Sequence, residues 1–494
     1  MKKVLTPKEM SFCDEYTINN LGVPSIALMQ RAGEKCVELM ESILKKTDEI
    51  LVLSGSGNNG GDGIVIATLL FEKGYNITLF CVSEKLSLSS SHFNYLYKGK
   101  REYSLDLKGK NIVVDCIFGV GLSREITGEY ARIIDEINTS NSAKISIDIP
   151  SGLNGENGLT NKSVVADYTI AINNFKLGHF LGDGKDYSGK TLLCNIGIDD
   201  SVIDGALLYE QEDLKKFFPK RKQNTNKGSY GKACIIAGCN EYQGALKMAY
   251  SSYVAYLGGV GYSTLLLPNS LKKSFSLPEE ECLLKFFPDS KGEIKYNKKI
   301  IEYLLTQDGI AIGMGIKGGK HTYKLMSELL KVYKGKLLID ADGINVLAKY
   351  GVNALKEKNC QVILTPHIKE FSRLIGKSVK EILLNPIEYA KAFSKEYGVC
   401  VVLKNTTTII CDGNRVAIEY RGSSGLSKAG SGDVLSGIIT GVLSRGLSPF
   451  ESGVLGAYIQ ADSSQRAKKA YGEYSMTARD VICFIKECVK SLEE

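Results

Sequence analysis

The strongest constraint on how this chain folds is a pair of glycine-rich loops far apart in the sequence, each set ahead of a helix-like segment. The first, Gly55-Ser56-Gly57-Asn58-Asn59-Gly60-Gly61-Asp62-Gly63, follows the apolar run Ile50-Leu51-Val52-Leu53 and precedes Ile64-Val65-Ile66-Ala67-Thr68-Leu69-Leu70. The second, Lys428-Ala429-Gly430-Ser431-Gly432-Asp433, runs into Val434-Leu435-Ser436-Gly437-Ile438-Ile439. Glycine lets a backbone approach an anion closely, and the free amides and dipole of a helix N-terminus attract phosphate. Two such loops point to two nucleotide-handling domains.

The length supports that division, because 494 residues exceed what one ordinary core accommodates. Apolar residues at 44% and charged ones at 24% describe a globular chain. No apolar run is long enough to span a bilayer, and the opening segment lacks the apolar stretch of a secretory leader, so no membrane partner and a cytoplasmic location are expected. The net charge of +7 is spread along the chain without a dense basic run, which speaks against a nucleic-acid partner. The 13 cysteines are scattered, several of them inside apolar runs (Cys81, Cys116, Cys234, Cys411). That usage fits free buried thiols in a reducing compartment. Four histidines and no clustered cysteines speak against a zinc site.

Between residues 21 and 46 the apolar spacing predicts one long amphipathic helix opened by Pro24. Strands are expected at Ile50–Leu53, Ile77–Val82, Ile112–Phe118, Ile145–Ile149, Tyr168–Ile172 and Thr191–Ile196. These runs are continuously apolar rather than alternating, as in a parallel sheet covered on both faces. The fold class is therefore α/β: a Rossmann-like doubly wound sheet, then a second α/β domain with an all-helical finish. A polar, basic, turn-rich stretch separates the halves, and the boundary is placed to give domains 1–215 and 216–494.

In the first half, three loops leave strand ends where such a sheet binds ligands: the Gly55 loop, Asp115 to Arg124, and Asp148-Ile149-Pro150-Ser151-Gly152. Gly55, Gly57 and Gly60 satisfy G-x-G-x-x-G, although asparagine-rich glycine turns also occur for purely conformational reasons. An aspartate at a strand end serves as base, cation ligand or helix cap. Taken with these loops, residues 1 to about 200 resemble the epimerase domain of NAD(P)H-hydrate repair proteins, which interconverts the R and S forms of hydrated nicotinamide cofactors. The resemblance implies substrate contacts at Asn58, Asn59, Gly60, Gly61 and Asp62 and at Gly119, Val120, Gly121, Leu122, Ser123, Arg124 and Glu125. It implies potassium ligands at Asn59, Asp115 and Ser151, all oxygen donors. Asp148 would touch the substrate and is the candidate acid/base group.

In the second half, the amides of Ala429-Gly430-Ser431-Gly432 form an anion hole at a helix start, directly followed by Asp433. Amides that stabilise a transferring phosphoryl group, beside a carboxylate that activates a hydroxyl, suit phosphoryl transfer. The companions are Asp340-Ala341-Asp342, Gly313-Met314-Gly315, Thr365-Pro366-His367-Ile368-Lys369-Glu370 and Lys404-Asn405-Thr406-Thr407-Thr408. Together they resemble the ribokinase-like dehydratase domain of the same repair family, over about residues 225 to 494. The resemblance implies nucleotide contacts at Lys404, Asn405, Thr406, Thr407, Thr408, Ser424, Gly425, Leu426, Ser427, Lys428, Ala429, Gly430, Ser431 and Gly432. Substrate contacts would be Gly315, Gly318, His367, Ile368, Lys369, Glu370, Phe371, Ser372, Arg373 and Asp433, with Asp433 as base. ADP or ATP with magnesium would drive dehydration of the S hydrate, by phosphorylation of its C6 hydroxyl and elimination. A homo-oligomer is expected by resemblance alone. Several positions depart from the family pattern: Ile368-Lys369 for the usual Pro-Gly, Lys317 in the Gly313 loop, and Ala429 in the anion hole.

Two other readings stay open at this level. A vitamin-precursor kinase shares the anion hole, but the attached first domain argues against it. A non-catalytic binding module is conceivable for the first half, but the retained Asn59, Asp115 and Asp148 favour catalysis.

Overall fold

The computed structural model describes the chain except residues 84–87, 123, 240, 256–258 and 276–281. It divides into two compact units, Lys2–Ala206 and Leu207–Glu494 together with Met1. Residues 207–215, which the sequence leaves with the first half, pack with the second. Tyr209 and Leu214 lie in its core, and the Arg421 guanidinium donates to the Tyr209 carbonyl at 2.6 Å.

The first unit holds a seven-stranded sheet ordered Lys100–Glu102, Asn76–Cys81, Glu49–Ser54, Ile112–Cys116, Ala143–Ile147, Tyr168–Ile172, Lys190–Cys194. Every pairing in it is parallel. Ile50 and Val52 face one apolar cluster, while Leu51 and Leu53 face another. Both faces are thus dry, which is why the strands read as unbroken apolar runs. From Glu49–Ser54 the chain first winds outward on one side, then returns to Ile112–Cys116 and winds along the other. The adjacent pair Glu49–Ser54 and Ile112–Cys116 is therefore the topological switch point, where doubly wound sheets bind ligands.

Two local expectations are revised. The long helix is shorter, Ser25–Met40, because Pro24 supplies an extended N-cap and Gly22 a left-handed turn before it. A separate helix, Pro7–Asn19, precedes it, opened by a capping box between Thr6 and Glu9. A short strand, Phe175–Lys176, pairs in parallel with Lys2–Leu5 and was not expected.

The second unit's sheet runs Leu283–Phe287, Tyr262–Pro268, Lys232–Ile236, Gly309–Ile312, Lys336–Ile339, Gln361–Leu364, Cys400–Leu403, Thr408–Cys411, Val416–Glu419. Its pairs are parallel as far as Cys400–Leu403, and the last two are antiparallel. The helices Ser431–Ser444, Pro449–Tyr471 and Ala478–Glu493 complete the chain. The first of them is almost wholly buried, with Val434, Leu435, Ile438, Ile439, Val442 and Leu443 in the core. Among the described residues no helix is long and apolar enough to cross a membrane.

Candidate functional site

Each unit carries its candidate chemistry at the carboxyl ends of its parallel strands, and the two sites are built differently. In the first unit a cavity of about 690 Å³ opens at the switch point. Helix Asn58–Glu72 begins at its edge, with Gly57 as an extended N-cap that leaves the first-turn amides without a side-chain partner. Asn58, Asn59 and Asp62 line the cavity, as do Gly119, Val120, Gly121, Leu122 and Arg124. Other expected contacts fall outside it. Gly60 has a packing role, since a Cβ there would sit 2.0 Å from the Gly55 carbonyl oxygen. Gly61 is buried, and Glu125 is exposed without lining the cavity. Ser123 lies outside the described residues.

Asp148 enters the cavity from the end of Ala143–Ile147 in a left-handed backbone conformation, φ 69°. Such a conformation costs roughly 1 kcal/mol or more for a residue with a side chain. One carboxylate oxygen, Oδ1, is ion-paired with Lys176 Nζ, which also donates to the Ile172 carbonyl at 2.7 Å. Lys176 is 1% exposed yet contributes to the cavity wall. Sequence reasoning missed it, because no motif marks a lysine inside a two-residue strand. Asp62, on the same wall, has its carboxyl pushed well above the usual range by burial and by the Asp148 charge. Asp14, also missed, is raised by burial and then by Glu15.

Behind the cavity, Asp115 is fully buried and bonded only to neutral donors. Ser151 Oγ donates to it at 2.5 Å, the Ser151 amide at 2.9 Å and Ser146 Oγ at 2.8 Å. Burial raises its pKa, and those hydrogen bonds oppose the rise. Beside it, Asn59 Nδ2 donates to the Phe118 carbonyl at 3.0 Å, which leaves the buried Asn59 Oδ1 without a partner. An uncompensated carboxylate near an orphaned carbonyl oxygen is the donor chemistry a hard monovalent cation requires. Of the expected potassium ligands, Ser151 bonds Asp115 directly, and Asn59 and Ser151 both donate to the Phe118 carbonyl.

In the second unit, Asp340, Lys404, His367 and the start of helix Ser431–Ser444 converge. Gly430 caps that helix with a left-handed φ of 94°. Lys404 Nζ donates to Asp340 Oδ1 at 2.9 Å, and Ser436 Oγ to Asp340 Oδ2 at 2.6 Å. Burial opposes the Lys404 charge, but Asp340, Glu370 and Asp433 outweigh it and hold its pKa above the ordinary value. The ammonium lies 3.2 Å from where a Cβ on Gly432 would be, at the mouth of the anion hole. Burial and then the Asp340 carboxylate push Asp433 up to about 7, against the pull of Lys404.

His367 has a structural job as well as an accessible edge. It caps helix Ile368–Ile375, its Nδ1 accepting from the Glu370 amide at 3.1 Å while Glu370 Oε2 accepts from the His367 amide at 2.9 Å. Its side chain is 48% exposed, so the remaining ring edge faces outward beside Glu370.

Several expected contacts are turned elsewhere. Phe371 is fully buried, edge-on to Phe393, and Ile368 is buried as well. Ser372 donates to the Lys377 carbonyl, and Arg373 to Asn345. Lys428 holds the Tyr474 and Met476 carbonyls at 2.7 and 2.6 Å rather than reaching for phosphate. Thr407 and Gly425 are buried, the latter against Met476. Lys369, Gly318, Asn405, Thr406, Ser424, Ser427 and Ala429 are exposed, and Gly315, Thr408, Leu426, Ser431 and Gly432 are half-buried. Among the described residues no group of three or more acidic, histidine or cysteine side chains is arranged to hold a metal ion.

Comparison with known proteins agrees with this division. A family model described as NAD(P)H-hydrate dehydratase matches residues 233–487, and one described as YjeF-related protein N-terminus matches residues 25–178. A bifunctional NAD(P)H-hydrate repair enzyme, Nnr, of Thermofilum pendens is 30% identical, over 100% of this chain and 97% of its own. The Escherichia coli protein of the same name is 29% identical, over 95% of this chain and 90% of its own. Among solved structures, an ADP/ATP-dependent NAD(P)H-hydrate dehydratase of Bacillus subtilis, co-crystallised with ATP and Mg2+, has a TM-score of 0.51 at 23% identity. It covers 58% of this chain and 99% of its own, and that likeness concerns the fold.

Proposed function

The chain belongs to the bifunctional NAD(P)H-hydrate repair enzymes, with an epimerase domain and an ADP/ATP-dependent dehydratase domain, and from that premise we propose how its own residues divide the work. Residues 2–206 carry the epimerase and residues 207–494 the dehydratase in this reading. The observation that carries it is the contrast between the Asp148–Lys176 pair in the first unit and Asp433 at the anion hole in the second.

In the epimerase, the cavity holds the hydrated dihydropyridine ring. Inversion at C6 requires its C–O bond to break and re-form on the other face, the ring nitrogen lone pair supporting the carbon in between. The proton that leaves with the departing hydroxyl passes from the Lys176 ammonium through the Asp148 carboxyl, and the water that returns on the other face gives its proton back along the same path. Lys176 keeps the carboxylate charge balanced inside a buried wall. Asn59, Asp115 and Ser151 would hold potassium, which supplies a fixed positive charge behind the loop Phe118–Leu122.

In the dehydratase, the amides of Ala429 to Gly432 and the Lys404 ammonium receive the nucleotide phosphates. Asp433 takes the proton of the C6 hydroxyl as that oxygen attacks the terminal phosphoryl group. The C6–O bond then breaks with phosphate as the leaving group, which departs far more readily than hydroxide, and loss of the C5 proton to the departing phosphate or to water closes the double bond and restores the dihydropyridine. Magnesium with ADP or ATP neutralises the phosphates. A cytoplasmic location and a homo-oligomer complete the proposal; the 13 cysteines, all free, accord with a reducing compartment.

The test is recovery of dihydronicotinamide absorbance from mixed R and S hydrates with magnesium and ADP or ATP. Full recovery of both epimers supports the assignment. Recovery of the S form alone would remove the epimerase, and phosphorylation of a pyrimidine or thiazole alcohol without recovery would favour the kinase.

A further inference from the structure

His179 lies outside the cavity lining, yet both of its ring nitrogens are committed to the two residues that carry the epimerase charge pair. Nδ1 accepts from the Lys176 backbone amide at 3.1 Å, and Nε2 faces the Asp148 backbone carbonyl at 2.9 Å. An amide is only a donor and a carbonyl only an acceptor, so these partners assign one tautomer: neutral, with the proton on Nε2. The ring is 1% exposed and is set edge-on between Phe175 and Phe180, at interplanar angles of 88° and 79°. Burial and the Lys176 charge lower its pKa to about 4, so the neutral form persists at physiological pH.

We infer that His179 is a positioning residue for epimerisation: its neutral ring ties the Asp148 backbone to the Lys176 backbone and so fixes their side chains across the cavity wall. Asp148 needs such a tie because its left-handed backbone is unfavourable unless its surroundings impose it. The Asp148 amide is held separately, donating to the Ile170 carbonyl at 2.8 Å. His179 secures the carbonyl end of the same residue. Lys176 needs the tie because its two-residue strand, Phe175–Lys176, is an edge strand paired on one side with Val4 and Leu5. The ring thus lies one step behind the reacting groups and touches no substrate.

This inference rests on the reading that the first unit epimerises the hydrate, and two measurements separate the two. The first compares His179→Leu, which offers no polar atom, with His179→Gln, whose carboxamide offers one donor and one acceptor. The expected result is a tenfold or greater fall in kcat for R/S interconversion in His179→Leu, with KM changed less than kcat. His179→Gln should recover most of that loss. Wild-type amide protection of Tyr168–Ile172 in each variant reports that the first unit is folded. Interconversion at the wild-type rate in His179→Leu, or no advantage of Gln over Leu, overturns the inference. The second measurement needs no variant enzyme to be active. In protein labelled with 15N-histidine, the His179 ring, assigned by its loss in His179→Gln, should show the Nε2–H neutral tautomer from pH 8 to pH 5. An Nδ1–H tautomer or an imidazolium in that range overturns it. A wild-type chain without interconversion would instead refute the epimerase reading and leave the tautomer result standing.

Discussion

Asp148, at the carboxyl end of a parallel strand, and Asp433, in the first turn of a helix, are the same residue type in two α/β units, and their surroundings prepare them in opposite ways. Asp148 is paired directly with a buried ammonium, Lys176, and is held in a left-handed backbone. Asp433 stands among other carboxylates, Asp340, Glu370 and Asp342, while the nearest ammonium, Lys404, is bonded to Asp340 instead. Burial first, and then these carboxylates, lift its carboxyl to about 7. The difference follows the chemistry each site performs. A group that must return a proton to either face of one carbon is served by a charge-balanced carboxylate in fixed geometry. A group that must accept a proton once, as phosphate charge gathers nearby, is served by a base matched to neutral pH.

The sharpest way to break this contrast is Asp433→Asn. It removes the base yet keeps the shape, so nucleotide-driven recovery from the S hydrate should fall by about 10³-fold or more, with R/S interconversion unchanged. Chromatographic separation of the epimers alongside the absorbance assay checks both. Asp148→Asn is the mirror experiment. Interconversion should fall by about 10²- to 10⁴-fold while dehydration of supplied S hydrate proceeds normally. Equal loss of both activities in either variant would contradict separate sites.

Lys176→Met addresses stability as well as rate. It leaves Asp148 in a buried wall without its cation, a change worth about 3 kcal/mol in other proteins. Faster amide exchange around Tyr168–Ile172, with the strand Gln361–Leu364 unaffected, is the expected readout. Unchanged exchange would show that the pair contributes little. The smallest effect concerns pH. In the proposed mechanism Asp433 acts in its ionised form, so kcat/KM for dehydration should rise roughly tenfold per pH unit below about 7 and level off above it. A profile already flat from pH 5 would place the base elsewhere.

Much of this was legible in the sequence because apolar runs and glycine loops are local signals. Tyr168–Ile172 emerges with the expected bounds. Lys100–Glu102 escaped notice because an edge strand of three polar residues carries no apolar run. Ser436 was read only as part of an apolar helix, although its hydroxyl holds Asp340 across 96 positions of sequence. Lys176 and His179 escaped for the same reason, since their meaning depends on Asp148, 28 and 31 residues away. In the other direction, treating residues 367–373 as one contact stretch ignored helical periodicity, which turns Ile368 and Phe371 inward.

The central claim is that two independent sites act in sequence on one metabolite, and complementation tests it most directly. Asp148→Asn and Asp433→Asn are each supplied with pure R hydrate, magnesium and ADP or ATP, alone and then mixed in equal amounts. Each variant alone should return little dihydronicotinamide above the enzyme-free rate, and the mixture should restore it through S hydrate released from one protein and taken up by the other. A mixture that stays as inactive as its components, with both proteins folded, would contradict the account.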